Sequence, residues 1–174
     1  MTDLSRSQGE TRAQQPAHTW DEAPLAELID HILSTYHAPL REDLDAVVAL
    51  AQRVLQVHGP RDASGRLARL ASALTVLREE LLLHLQKEEQ VLFPWIRAGR
   101  GRTAGAPVAV MQHEHKATED LLRQLQALTG DFVVPEGACD KWRALWLLLK
   151  VLHRDLHAHI ALENDVLFPR ALAG

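Results

Sequence analysis

Two stretches of the chain, His84 to Pro94 (HLQKEEQVLFP) and His159 to Pro169 (HIALENDVLFP), share the phrase H-x-x-x-E-x-x-V-L-F-P. Each sets a histidine and a glutamate four residues apart, which on an α-helix places both side chains on one face. Imidazole and carboxylate at that spacing form a metal-binding pair. Two such pairs meeting in one helical core supply the donor set for two transition-metal ions.

The elements that must bring them together follow from apolar periodicity. Residues 1–21 are polar and aperiodic and read as a flexible tail, leaving residues 22–174 as one domain. From Pro24 a helical stripe runs through Ile29, Leu33, Leu40, Leu44, Val47, Ala51 and Val54, with Pro39 expected to kink or interrupt it and His58-Gly59-Pro60 to stop it. A second stripe carries Leu67, Leu70, Leu74, Leu77 and Leu81 and ends near Pro94–Arg97, followed by a glycine-rich loop over 98–107. The third shows Val108, Met111, Thr118, Leu122 and Leu125, closed by Gly130. The fourth runs from about Glu136 through Trp142, Leu145, Leu149, Leu152, Leu156, Ile160 and Leu167. No segment alternates with period two. The predicted fold is all-α, an up-down-up-down four-helix bundle with a two-metal site in its core.

Each stripe is interrupted by a histidine. His37 continues the first, His84 and Glu88 the second, His115 lies between Met111 and Thr118, and His159 and Glu163 lie between Leu156 and Leu167. A single histidine on an apolar stripe is ordinarily a satisfied core residue, but two buried glutamates are harder to accommodate. An unpaired charge in an apolar core costs several kcal/mol or more, and neither stripe carries an arginine near its glutamate. A pair of dications offsets that cost. The predicted metal ligands are therefore His37, His84, Glu88, His115, His159 and Glu163. Taking 100° per residue, His31 and His153 point about 120° away from the inward face, and His113 and His157 about 160°. His58 falls at a helix end and His18 in the tail, so these six are expected at the surface or behind the ligands.

Imidazole and carboxylate without thiolate suit iron, manganese or zinc, and the spacing differs from the zincin H-E-x-x-H arrangement. Two octahedral ions offer about twelve positions. Four imidazoles, two bridging carboxylates and a bridging oxo or hydroxo group leave about two for water or a diatomic ligand such as NO or O2. Two non-haem iron ions are the expected cofactors, because a redox metal gives such a site a purpose, with zinc or manganese second. Glu80 and Asp155, one turn before His84 and His159, are expected to accept the free imidazole N–H groups. Glu114 and Glu119, flanking His115, are expected to line an access path or relay protons.

The bulk composition is compatible. The chain has 174 residues, 47% apolar and 24% charged, with a net charge of −4 and ten histidines. It carries no basic excess of the kind nucleic acid requires, no apolar run long enough to span a bilayer and no secretory leader. Its single cysteine, Cys139, fits a reducing compartment and is read as a buried or helix-capping residue. A cytoplasmic protein with no nucleic-acid or membrane partner is expected.

The segments IDHILSTYH, HLQKEEQVLFP, MQHEHK, PEGAC and HIALENDVLFPRALAG resemble the hemerythrin-like, or HHE cation-binding, superfamily. Within it they are most similar to the repair-of-iron-centres group of di-iron proteins. The resemblance spans about residues 25–174 and implies His37, His84, His115 and His159 as terminal ligands with Glu88 and Glu163 as bridges. It also implies a stress-response role: restoring iron–sulfur clusters damaged by nitric oxide or peroxide, by delivering iron to client proteins or by binding or reducing nitric oxide at the di-iron centre. The competing expectation is a module that binds or senses O2 or NO reversibly, without turnover. Members of the group often carry a small cysteine-bearing N-terminal domain where this chain has polar sequence. Oxygen-carrying hemerythrins use a fifth histidine for which no position is identified here, which weakens an oxygen-storage role.

Overall fold

The computed structural model describes residues 20–174, so the expected tail falls almost wholly outside the described residues. Trp20 and Asp21, placed in that tail by the sequence, are described: Trp20 lies against the His31 ring with centroids 4.6 Å apart, and its carbonyl accepts from Arg170.

Among the described residues all regular structure is helical. The first helix of the bundle comprises α1 (Leu25–Ile32), a π-turn (Leu33–His37) and α2 (Ala38–His58). The second is α3 (Arg66–Lys87), a π-turn (Glu88–Leu92) and α4 (Phe93–Arg97). The third is the uninterrupted α5 (Gly105–Thr129), and the fourth is α6 (Asp140–Leu162), a π-turn (Glu163–Leu167) and α7 (Phe168–Ala173). The first helix packs against the second and fourth, and the second against the third. This is the expected four-helix bundle. No helix among the described residues is long and apolar enough to cross a membrane.

Several expected boundaries shift. Pro39, Pro94 and Pro169 each sit just beyond a π-turn that interrupts the α-helix, and helical structure continues past them; the second helix ends at Arg97, within the expected Pro94–Arg97. The first stripe changes phase there, so Leu28 and Ile32 are buried while Leu33 is only half-buried. The third helix starts at Gly105, inside the expected loop. The fourth starts only at Asp140, because Gly137 adopts φ +74° in the turn before it. Gly130 ends the third helix in the left-handed conformation (φ 59°), as its sequence position suggests.

The interior is layered. A leucine-rich core joins α2, α3, α5 and α6 and includes the fully buried Trp146, whose indole N–H donates to the Thr129 carbonyl at 3.1 Å. A second apolar cluster at the opposite end gathers Ile29, Ile32, Phe93, Met111 and Phe168 from all four helices. Between the two lies a buried polar layer: His37, His84, Glu88, His115, His159 and Glu163. At Gly101 the backbone passes so close to α7 that a Cβ would collide with the Ala171 carbonyl.

Candidate metal centre

All six residues singled out by the stripes converge. They form two groups of four donors, His37, His159, Glu88 and Glu163 in one, and His84, His115, Glu88 and Glu163 in the other, with the donor atoms of each group within 4.8 Å of one another. Both glutamates belong to both groups and divide their oxygens between them. Glu88 presents Oε2 to His37 Nε2 and Oε1 to His84 Nε2, each at 3.4 Å. Glu163 presents Oε1 to His159 Nε2 at 3.1 Å and Oε2 to His115 Nε2 at 3.2 Å. Each pair of imidazoles meets at 3.1 Å, His37 with His159 and His84 with His115.

These separations fit a cation better than they fit hydrogen bonds. With metal–nitrogen bonds of about 2.1 Å, neighbouring ligands of an octahedral ion stand about 3.0 Å apart. Glu88 and Glu163 are 0% exposed, and none of their four oxygens has an aligned hydrogen-bond donor. Four unsatisfied carboxylate oxygens in a dry core would be prohibitive without a positive charge among them.

The outer ring nitrogens set the tautomer. His84 Nδ1–H donates to Glu114 Oε2 at 2.9 Å, and His115 Nδ1–H to Asn164 Oδ1 at 3.0 Å. Because a carboxylate or amide oxygen only accepts, the proton sits on Nδ1 and both Nε2 lone pairs face each other across the cage. His37 Nδ1–H likewise donates to Glu89 Oε1 at 2.9 Å. Without a cation, protons take its place: burial opposes charge on His84, yet the adjacent Glu88 outweighs it and lifts the imidazole to about 9. Burial and the nearby His159 hold His37 down at about 4. Burial and the facing Glu163 raise Glu88, whereas His159 and His115 overcome burial to hold Glu163 low.

The supporting residues differ in part from expectation. Glu80 and Asp155 do not take up the imidazole N–H groups of His84 and His159. Glu80 is exposed, and Asp155 pairs with Arg154 at 2.9 Å. An imidazole reaching inward turns its Nδ1 sideways toward the neighbouring helix, so a carboxylate from across the gap reaches it and one on its own helix does not. Glu114 does so for His84 and also pairs with Lys87. Glu119 is half-buried and lines neither cleft at the site. Glu89 and Asn164 are the residues sequence reasoning missed. Each immediately follows one of the two buried glutamates, and that register was the available signal. Glu89 is further held by Arg41 at 3.0 Å. Tyr36 stacks on His159 (5.1 Å, 5° between planes), and Phe168 on His115 (5.8 Å, 7°). Cys139 caps α6 but is exposed rather than buried, and sits 3.2 Å from His58 Nε2 at the far end of the bundle.

Comparison with known proteins agrees with this geometry. The chain is 46% identical over 153 residues to the iron-sulfur cluster repair protein DnrN of Neisseria gonorrhoeae, covering 88% of this chain and 95% of that one. It is 44% identical over 163 residues to the iron-sulfur cluster repair protein YtfE of Escherichia coli O157:H7, covering 93% of this chain and 73% of that one. The family described as Hemerythrin HHE cation binding domain matches residues 28–171. A match that takes in all six buried donors and most of the chain is decisive: the chain belongs to the hemerythrin HHE cation-binding domain family.

Proposed function

We propose that this protein holds two iron ions between its four histidines and two glutamates and serves in the repair of iron–sulfur clusters damaged by nitrosative or oxidative stress. The observation that carries the two-ion reading is the division of both carboxylates, one oxygen to each imidazole pair. A carboxylate serving one ion through a single oxygen would leave the other to a hydrogen-bond donor, and neither glutamate has one. The repair reading draws on the relatives named above; the gonococcal one is matched over 95% of its length, so the aligned region alone spans nearly all of a protein carrying that name.

His37 and His159 would bind one ion, His84 and His115 the other, with Glu88 and Glu163 bridging. Iron at this site supplies one-electron redox chemistry toward a diatomic ligand such as nitric oxide, and ferrous iron is itself what a damaged cluster lacks. The chain's own contribution is to fix geometry and exclude water. Glu89, Glu114 and Asn164 hold three imidazoles with Nε2 inward. Phe93 and Phe168 seal the layer from the end of the bundle.

The test is reactivation of a nitric-oxide-damaged iron–sulfur enzyme by the iron-loaded protein, against the same amount of free ferrous iron. Faster or fuller recovery with the protein is expected, and equal recovery sinks the repair reading. A stable, fully reversible nitric oxide adduct with no reactivation would instead favour a binding or sensing module.

A further inference from the structure

The two hairpins of the bundle repeat each other, so residues around one imidazole pair have counterparts around the other. Tyr36 precedes His37 as Glu114 precedes His115, and Asp155 precedes His159 by one turn as Glu80 precedes His84. The two clefts leading from the surface to the site obey the same correspondence. One ends on His159 between α2 and α6, the other on His84 between α3 and α5. Their volumes are very unequal.

At His159 the space is about 20 Å³, lined by Tyr36, Leu40, Asp43, Asp155 and Leu156. That is room for about one water. At His84 it is about 290 Å³, bordered by Glu80, Lys87, His113, Glu114 and Thr118. At roughly 30 Å³ per water it takes more than the six waters of a hydrated dication. Where Tyr36 stacks flat on His159 in the first cleft, Glu114 puts a carboxylate in the second, and Thr118 stands where Leu40 does. Oxygen-bearing side chains line both clefts, but only the His84 cleft has the volume to pass an ion together with its water.

We propose that the two metal positions have different exchange behaviour. The ion held by His84 and His115 is loaded and surrendered as a divalent cation through the polar cleft at His84. The ion held by His37 and His159 is retained behind Tyr36. This rests on the two-ion reading above and deepens it: one position exchanges fast, the other slowly.

Chelator chase of the fully loaded protein tests it. Metal-free protein is loaded anaerobically with ferrous iron, its content measured, and a colour-forming ferrous chelator added in a stopped-flow instrument. Two phases of one equivalent each, at least tenfold apart in rate, are expected. Glu114→Tyr, which places in the open cleft the side chain found in the closed one, should slow the fast phase tenfold or more and leave the slow phase alone. A merely structural role for Glu114, as acceptor for His84, predicts faster loss, the opposite sign. Thr118→Leu narrows the same cleft with Glu114 intact and should slow the same phase, should Glu114→Tyr fail to load. Conversely, Tyr36→Ala should accelerate only the slow phase. Wild-type protein that binds fewer than two ions refutes the two-ion reading itself. Two ions that leave in one phase, or a fast phase indifferent to both cleft-closing substitutions, refute only the inference drawn here.

Discussion

Replacing Glu88 with glutamine should move the metal-bound and metal-free proteins in opposite directions. Glu88 is wholly buried, its two oxygens lack aligned donors, and burial together with Glu163 raises its pKa. In the metal-free fold it therefore gives up its proton at higher pH than the unfolded chain, whose ordinary value is 4.5. Stability contributed by that proton falls as pH rises. Glutamine removes the ionisable group and adds an N–H donor facing Glu163, recovering about 1–2 kcal/mol of the cost of an unsatisfied buried group. At about 2–4 °C per kcal/mol for a chain of this size, the metal-free variant should melt about 2–8 °C higher at pH 8. The advantage should shrink toward pH 5. With metal the sign reverses, because each ion loses an anionic donor. Removing one partner of a buried charge pair costs about 3–5 kcal/mol, a loss of affinity of roughly two to three and a half powers of ten. Scanning calorimetry of both proteins, with and without ferrous iron, and chelator competition for Kd give the two numbers. If glutamine lowers the melting point of the metal-free protein, the carboxylate is satisfied by the protein itself and the case for a cation there fails.

Three further outcomes follow from the same geometry. Metal uptake at pH 7.5 should release one proton or more per chain, because His84 stands near 9, and His159 and Glu88 are also raised, while His37 at about 4 has none to give. Calorimetric titrations in buffers of different ionisation enthalpy measure this, and a buffer-independent heat contradicts it. Glu89→Ala removes the acceptor that orients His37 and should weaken metal binding about 10- to 100-fold by competition titration while leaving the helical circular dichroism intact; an unchanged affinity would mean His37 needs no orientation. Gly101→Ala forces a methyl against the Ala171 carbonyl and should destabilise the chain by about 1–3 kcal/mol in urea melts, with little change in metal stoichiometry. A neutral result there would show that the loop moves freely away from α7.

The ligand set was legible because two independent patterns crossed in it. The leucine stripes define an inward face by sterics alone, and the histidines and glutamates interrupt that face where an apolar residue is due. A polar residue at a core position needs partners inside the bundle, and Glu88 and Glu163 each face one imidazole on their own helix and one from the preceding helix. The residues behind the ligands were less legible. Glu80 and Asp155 were favoured by spacing along one helix, but the Nδ1 of an inward imidazole faces the neighbouring helix, and spacing along a single helix carries no record of which neighbour that is. Glu89 and Asn164 share a position in the repeat yet differ in charge, so the repetition that marked the ligands gave no emphasis to them. The exposure of Cys139 had the same source: nothing near it in sequence says that His58 lies 3.2 Å away.

The prolines show how local sterics set the register on which the site depends. A proline ring inside a helix clashes with the carbonyl four residues earlier. Pro39, Pro94 and Pro169 would meet the carbonyls of Thr35, Gln90 and Asp165, and all three of those residues lie in π-turns, where the backbone widens to i→i+5 bonding. The third helix has no proline near His115 and no π-turn. Each widened turn adds one residue to the repeat of the buried face. In the first helix the step from Ile32 is five residues, so His37 points inward, where a regular helix would bring Tyr36. In the second and fourth, the extra residue turns Phe93 and Phe168 into the core and leaves Val91 outside. Those phenylalanines then lie against His37 and His115, each the buried histidine of a helix that carries no buried glutamate. The V-L-F-P that follows each glutamate therefore does more than terminate a helix. Its proline accounts for the widened turn, the turn rephases the face, and the rephased phenylalanine closes the apolar wall of the metal centre.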